Sequence, residues 1–316
     1  MFKSGTHADC RFKIFHELMA NKVRHILLIS SPYDAWVMEK DRGLSEAIVH
    51  EYRGLNLSHP PRLTWVGSVV DSTERLQSVM FDLVVVISEF FESLILDLTK
   101  QIRQFAPNIP VVKLYHRSPG RVVEQLEHVP THTLERFFLW SGNSKLFLAS
   151  IKSIEDELNV AGDTSLSGIR VIIFVEDSAL YLSSLLPVLY QELVKQTQRV
   201  MEKGLDEEHR MLAMRARPKI LIASSFEGAM DLFLRFEPYV LGVISDVRFF
   251  LDGKINGTAG IRLLKTIHEK RFDIPLLLTS SESINAEKAA TIPASFVDKN
   301  SPTLYQEVQA FFLENL

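Results

Sequence analysis

Acidic, hydroxyl and lysine side chains follow the apolar runs in the second half of this 316-residue chain. In chain order they are Glu176, Asp177, Asp246, Thr279 and Lys299. If these runs are parallel strands of one sheet, their carboxyl ends meet at the edge where ligands bind in open α/β folds. The sequence therefore predicts three carboxylates, a hydroxyl and an ammonium at one site.

This set of side chains suits phosphoryl transfer. Crowded carboxylates repel each other, and Mg²⁺ relieves that repulsion while keeping coordination positions for water and a phosphate oxygen. One carboxylate can act as the nucleophile, and the ammonium and hydroxyl can stabilise charge on the transferred group. The alternative is that Glu176, Asp177 and Asp246 are only structural caps at strand ends.

Strand-like runs alternate with helical patterns along the whole chain, which predicts an α/β fold. The runs are apolar at nearly every position, as is typical of parallel strands buried on both faces. The ten runs are RHILLIS (24–30), LTWVGS (63–68), FDLVVVIS (81–88), IPVVKLY (109–115), RFFLW (136–140), RVIIFVED (170–177), KILIASS (219–225), VLGVISD (240–246), IPLLLTS (274–280) and ASFVDK (294–299).

The five runs of the first half match the five of the second half, which indicates two duplicated domains rather than a short repeat. We place the first domain at 1–160, beginning with an amphipathic N-terminal helix, and the second at 168–316. The boundary falls in the polar stretch 161–168, AGDTSLSG.

The second domain has an enlarged first crossover between Ser178 and Pro218, longer than a helical connection needs. It predicts a long helix followed by a second one. We expect apolar residues of this segment to pack against the first domain or a second copy of the chain; the alternative is a helical hairpin packed on itself. The residues concerned are Val200, Met201, Met211 and Met214.

The second domain resembles the receiver domains of two-component response regulators. The motifs that carry the resemblance are VED (175–177), ISD (244–246), LLLTS (276–280) and FVDKNSP (296–302). The resemblance implies a flavodoxin-like (CheY-like), doubly wound five-stranded parallel sheet of order 2-1-3-4-5 in each domain. The whole chain resembles the paired receiver region at the N-terminus of bacterial phosphoenolpyruvate-synthase-like proteins.

The resemblance also implies a role for each site residue. The loop after Asp246 departs from the receiver pattern, because it is longer and lacks the usual proline. The implied roles are Asp246 as phosphoacceptor; Glu176, Asp177, Asp246 and the backbone carbonyl of Arg248 as Mg²⁺ ligands; Thr279 and Lys299 as the residues that hold the phosphoryl group; and Phe296 as the switch aromatic.

The first domain keeps the strands and changes the chemistry. VISE (86–89) repeats the VISD of the second domain with Glu89 in place of the aspartate. We therefore predict a pseudoreceiver that binds no Mg²⁺ and accepts no phosphoryl group. The other replacements are Ser30 and Ser31 for the acidic pair, Leu114 for Thr279 and Ser141 for Lys299.

Two alternatives stay open for the first domain. Glu89 could mimic a phosphorylated aspartate instead of being a solvated carboxylate. Asp34, Glu39 and Asp41 could rebuild an acidic site, although acidic residues also favour the start of a helix.

The resemblance predicts a phosphorelay signal-transduction module and not an enzyme. A histidine kinase or phosphotransfer protein would phosphorylate Asp246, which would switch a docking surface for an output partner or a downstream catalytic domain. The alternative is a non-phosphorylated tandem pseudoreceiver that acts as a structural docking module of a larger enzyme. A flavin carrier is disfavoured, because no GxGxxG follows the first strand of the second domain.

Composition restricts the partners and the location. A net charge of −4 without a basic tail argues against a nucleic-acid partner. No apolar run is long enough for a membrane span, and the N-terminus lacks an apolar signal core. Cys10 is the single cysteine, so we predict a reducing cytoplasm. A homodimer is compatible with these features.

Overall fold

The computed structural model describes residues 18–40, 44, 46, 48–49, 52, 60–88, 93–116, 135–201 and 216–315. These residues form two units, each with its own five-stranded parallel sheet. The first unit takes the described residues of 21–155 and 179–187, and the second takes those of 1–20, 156–178 and 188–316.

The first unit has the strand order β2-β1-β3-β4-β5, with all neighbours parallel. This is the predicted 2-1-3-4-5 order. Its elements are β1 (His25–Ile29), α1 (Pro32–Lys40), β2 (Arg62–Val66), α2 (Val69–Ser78), β3 (Leu83–Ser88), α3 (Ser93–Phe105), β4 (Val111–His116), β5 (Glu135–Trp140) and the first half of α4 (Ser144–Ser167).

The second sheet has the order β12-β11-β8-β6-β7, which is the same order read from its other edge. Its strands are also all parallel. The elements that follow α4 are β6 (Val171–Val175), α5 (Ala179–Met201), β7 (Lys219–Ala223), α6 (Phe226–Phe236), β8 (Val240–Asp246), β9 (Phe249–Leu251), β10 (Lys254–Asn256), α7 (Ala259–Lys270), β11 (Leu276–Ser280), α8 (Asn285–Ala289), β12 (Ser295–Asp298) and α9 (Leu304–Asn315).

Burial on both faces explains the unbroken apolar strands. Every residue of β6 and of β11 is buried, and so is every residue of β8 except Leu241. Helix α6 covers part of this sheet with Ala229, Phe233 and Phe236, which recur on one side of the helix. The apolar runs without polar alternation therefore correctly predicted parallel strands that are buried on both faces.

The two units share a serine helix cap. Ser68 precedes α2 and accepts a hydrogen bond from the Asp71 amide. Ser225 precedes α6 and accepts one from the Gly228 amide. Both serines directly precede the helix that follows the second strand of their sheet, and their backbone angles are nearly the same, so the two units share this connection as well as the strand order.

The long crossover helix is confirmed, since α5 has 23 residues. The second helix, the side chains of Val200 and Met201, and both Met211 and Met214 lie outside the described residues, as does the N-terminal helix. The boundary stretch 161–168 is helical up to the end of α4, where Gly168 takes a positive φ of 64°. Within the described part of the chain, no helix is both long and apolar enough to cross a membrane.

The long loop after Asp246 is a small hairpin. Strands β9 and β10 pair antiparallel across Asp252 and Gly253, which have φ angles of 53° and 70°. An Asp-Gly pair with positive φ at both positions is the preferred two-residue hairpin turn. Phe249 and Leu251 anchor the hairpin in the core of the second unit.

A buried ionic network lies at the start of β7. The Asp156 carboxylate accepts two hydrogen bonds from the Arg217 guanidinium, at 2.6 and 2.9 Å. It also accepts from the Tyr190 hydroxyl at 2.8 Å and the Ile220 amide at 2.9 Å. This many donors offset the free-energy cost of burying the carboxylate. Removing the carboxylate would leave its partners buried without an acceptor, which destabilises the folded state.

We expect Asp156→Ala to destabilise the second unit by about 3–5 kcal/mol, because it leaves the Arg217 guanidinium buried without its counter-charge. Urea unfolding would measure this loss. The control is Asp231→Ala, which removes an exposed helix-surface pair with Arg235 and should change stability little. Equal effects of the two changes would contradict the importance of the network.

Candidate metal and phosphoryl site

The predicted acidic residues meet at the switch point of the second sheet. Strand β6 lies between β7 and β8, so the next two strands of the chain flank it on opposite sides. Ligands of open α/β sheets bind at such a switch point. Glu176 and Asp177 directly follow β6, and Asp246 is the last residue of β8. One oxygen from each of the three carboxylates lies within 4.8 Å of the others.

Lys299 joins this cluster from the end of β12. Its ammonium lies 2.6 Å from a Glu176 oxygen and 2.9 Å from an Asp246 oxygen. The Lys299 amide donates to the Ser280 carbonyl at 2.7 Å, which fixes the backbone beside β11. Both Lys299 and Glu176 are buried, so the contacts are shielded from water.

The charges in the cluster do not balance. Burial raises the pKa of Glu176 to about 8; the Lys299 ammonium lowers it and the Asp246 charge raises it. Burial alone would lower the pKa of Lys299, but the Glu176 and Asp246 carboxylates raise it above its usual value. The ammonium therefore stays charged, and Glu176 is the group that takes up a proton when no cation is bound.

The donor set fits Mg²⁺. Opposite oxygens around an octahedral Mg²⁺ lie about 4 Å apart, so small side-chain rotations would bring the three carboxylates onto one ion. Two or more coordination positions would stay open for water or a ligand oxygen. Among the described residues, this is the group of carboxylates with the spacing for a metal ion.

Thr279 and Phe296 lie on the strands next to Asp246. Thr279 is the register partner of Asp246, is fully buried, and donates its hydroxyl to the Ser245 carbonyl at 3.4 Å. Phe296 is half-buried and packs against the core. The side chain of Arg248 is exposed. The roles of Thr279 and Phe296, and of the Arg248 carbonyl, stay predictions.

Sequence reasoning missed Gly260, the second residue of α7. Its amide donates to the Val247 carbonyl at 2.9 Å, so the start of the helix lies directly on the strand end that carries Asp246. The only signal was the pair of small residues Ala259 and Gly260 at a predicted helix start, which does not identify a contact.

The first unit has a different arrangement at the corresponding edge. The Ser30 hydroxyl accepts a hydrogen bond from the Trp65 indole at 3.0 Å. Asp34 is buried, accepts from the Ser31 hydroxyl at 2.7 Å and lies 2.6 Å from the His116 imidazole. Asp34 is thus a buried carboxylate paired with a half-buried imidazole and not simply a helix-start carboxylate.

The other acidic residues considered for the first unit, Glu89 and Asp41, lie outside the described residues, as does the side chain of Glu39. The strand register also changes one equivalence. Leu114 pairs with Ile87, two residues before Glu89, whereas Thr279 pairs directly with Asp246. By this register Leu114 corresponds to Leu277, which pairs with Ile244, and not to Thr279.

Comparisons with known proteins do not support the family that the motifs resemble. No protein-family model matches the chain, and no curated protein matches it. Among the solved structures that match is the transcriptional regulator CelR in complex with cellobiose, with a TM-score of 0.27, 14% identity, and coverage of 93% of this chain and 79% of that chain.

Two further matches are also titled transcriptional regulators. The regulator CcpA of Lactococcus lactis has a TM-score of 0.26 and 11% identity, with 93% of each chain covered. A LacI-type regulator from Bacteroides fragilis has a TM-score of 0.23 and 13% identity, with 92% of this chain and 88% of that chain covered. Likenesses this weak do not carry DNA binding or sugar binding over to this chain.

These findings correct several predictions. Neighbours titled transcriptional regulators contradict four of them. These are membership of the response-regulator receivers, the phosphorelay function, its docking-module alternative, and the kinase or phosphotransfer partner. The exclusion of a nucleic-acid partner is withdrawn as well, because these neighbours are titled transcriptional regulators. The physical reason is that short acidic motifs after buried strands describe the chemistry of a sheet edge and do not define a family.

Mg²⁺ affinity should rise with pH up to about 8, because the ion binds the deprotonated form of Glu176, whose pKa is raised to about 8. Each pH unit below that value should weaken apparent binding about tenfold, measured by calorimetry between pH 6 and 9. The matched control is Glu176→Gln, which cannot titrate and should show no such rise. A pH-independent affinity in the unaltered protein would contradict the assignment of Glu176.

The same raised pKa has a consequence for the metal-free protein. The folded state holds a proton on Glu176 that the unfolded chain releases near the ordinary glutamate pKa of 4.5. Stability should therefore fall as pH rises from about 4.5 to about 8. Saturating Mg²⁺ should remove this fall. Urea unfolding at several pH values, with and without the ion, would check it.

Proposed function

We propose that the second unit is a Mg²⁺-dependent site for phosphorylated ligands, with Glu176, Asp177 and Asp246 as ligands of the ion. The observation that carries the proposal is the contact of Lys299 with both Glu176 and Asp246 at the edge where the three carboxylates meet. A structural cap needs one carboxylate and a backbone amide. It does not need three carboxylates and a buried ammonium around one point.

The fold supports this proposal. Two parallel sheets of order 2-1-3-4-5, with a helix in each connection that the structure describes, agree with a flavodoxin-like, doubly wound architecture. In such a sheet the strand ends at the switch point present side chains and backbone amides to a ligand. The predicted cytoplasmic location belongs to the same proposal, since Mg²⁺ and phosphorylated metabolites are abundant there.

Each residue of the site has a distinct task. A bound Mg²⁺ supplies positive charge to the phosphoryl oxygens and offsets the excess of carboxylates. Lys299 contacts two carboxylates, and its ammonium can donate a further hydrogen bond to a phosphoryl oxygen. The Thr279 hydroxyl lies one strand away, and its weak 3.4 Å bond to the Ser245 carbonyl is easily exchanged for a stronger acceptor.

Asp246 is the carboxylate that we propose as phosphoacceptor. Its oxygen would attack the phosphorus atom of a bound acyl phosphate, and the bond from phosphorus to the leaving carboxylate would break. The leaving carboxylate departs with the electron pair, so no proton has to move. Because the acceptor is part of the chain, the site is proposed for binding and modification and not for turnover.

Asp246→Asn should weaken Mg²⁺ binding about tenfold or more in calorimetry and abolish labelling by acetyl phosphate. The unaltered protein should bind the ion and gain one base-labile phosphoryl group, seen by mass spectrometry, and chelation should prevent this. The control is Asp231→Asn, which changes an exposed aspartate of α6 with the same loss of charge.

The outcomes separate the two parts of the proposal. Unchanged Mg²⁺ affinity in Asp246→Asn would overturn the cation site. Normal Mg²⁺ binding with no phosphoryl group on the unaltered protein would overturn the acceptor role of Asp246 and leave the cation site in place.

A further inference from the structure

The start of α7 lies unusually close to the backbone that carries Asp246. A Cβ atom added to Gly260 would lie 1.9 Å from the Asp246 carbonyl oxygen and 2.9 Å from its carbonyl carbon. It would also lie 3.0 Å from the Cα of Val247. Ordinary van der Waals contact begins at about 3.4 Å, so any side chain here forces helix and strand apart by roughly 1.5 Å.

Neither partner in this contact has room to retreat. On the strand side, the Val247 amide donates to the Thr279 carbonyl at 3.1 Å, and Val247 is buried. On the helix side, Ala259 and Leu263 are fully buried in the core. Because protein interiors are close-packed, the displacement forced by a side chain at position 260 would be transmitted to the groups attached to this backbone. Here the attached group is the Asp246 carboxylate.

The displacement matters because of the ion that the site fits. Mg²⁺ demands near-ideal octahedral geometry with ligand distances of about 2.0–2.1 Å. A shift of the Asp246 backbone by an ångström or more changes the distances from its carboxylate to those of Glu176 and Asp177. The Arg248 carbonyl, the other ligand predicted from this segment, would move with it.

We infer that Gly260 is a positioning residue of the Mg²⁺ site: its missing side chain lets α7 hold the Asp246 strand end where the ion needs it. The inference rests on the proposed cation site and adds a determinant outside the charged cluster. Gly260 touches neither the ion nor the ligand. It acts through the backbone of Asp246 and through its hydrogen bond to the Val247 carbonyl.

The chain offers a matched control three residues earlier. A Cβ added to Gly257 would have no atom within 4 Å, and this glycine does not have the positive φ that would strain an alanine. Gly257→Ala and Gly260→Ala therefore make the same covalent change in the same connection. Only the second one meets the Asp246 backbone.

The test compares Mg²⁺ dissociation constants of the two variants by calorimetry, well below their melting temperatures. Gly260→Ala should bind Mg²⁺ about 10-fold to 100-fold more weakly, whereas Gly257→Ala should match the unaltered protein. A lower melting temperature of Gly260→Ala with unchanged affinity would overturn the inference, since a purely structural role moves stability alone. Absence of Mg²⁺ binding by the unaltered protein would instead overturn the proposed site.

If Gly260→Ala does not fold, amide hydrogen exchange on the unaltered protein tests whether the Gly260 contact is coupled to the Mg²⁺ site. With free Mg²⁺ at about 100 times its dissociation constant, exchange of the Gly260 amide should slow about 100-fold, because opening this contact also disrupts the site. The Gly257 amide should not respond. Mg²⁺ binding without any change at Gly260 would show that the contact is not coupled to the site.

Discussion

An excess of negative charge at a partly buried sheet edge is the constraint that governs the second unit. Glu176, Asp177 and Asp246 bring three carboxylates to one sheet edge, and Lys299 returns a single positive charge. Uncompensated buried charge is costly, so the edge needs a proton or a cation. The raised pKa of Glu176 shows that a proton can meet this need, and Mg²⁺ is the alternative. Strand order, loop anchoring and helix placement all serve to keep these groups together.

The first unit shows that the fold does not require this chemistry. Its sheet has the same order and the same capping serine before the second helix, yet the positions after β1 are Ser30 and Ser31. Its buried carboxylate, Asp34, lies 2.6 Å from the His116 imidazole. Burial maintains the apolar strands in both copies, whereas side chains at strand ends are free to change.

The strands and the charged cluster could be predicted because each depends on local sequence. Unbroken apolar runs identify buried parallel strands, and a polar residue after such a run must lie at the sheet edge. The Asp34–His116 pair could not be predicted, because its members are far apart in the chain and only the folded register brings them together. Gly260 was missed for a related reason: one small residue does not reveal which backbone it approaches. Motif resemblance suggested a family that the comparisons contradict, since a few strand-end residues report on chemistry and not on descent.

Helix α4 has a consequence for any attempt to divide the protein. The repeats in the sequence suggest a cut between 160 and 168, but this helix supplies Asp156 and Asp163 to the second unit. A fragment beginning at 168 would leave the Arg217 guanidinium and the Lys219 ammonium enclosed without the carboxylates that lie 2.6 and 2.8 Å from them. The repeat predicted from the sequence and the compact second unit thus have different borders, and a fragment should be designed to begin upstream of Asp156.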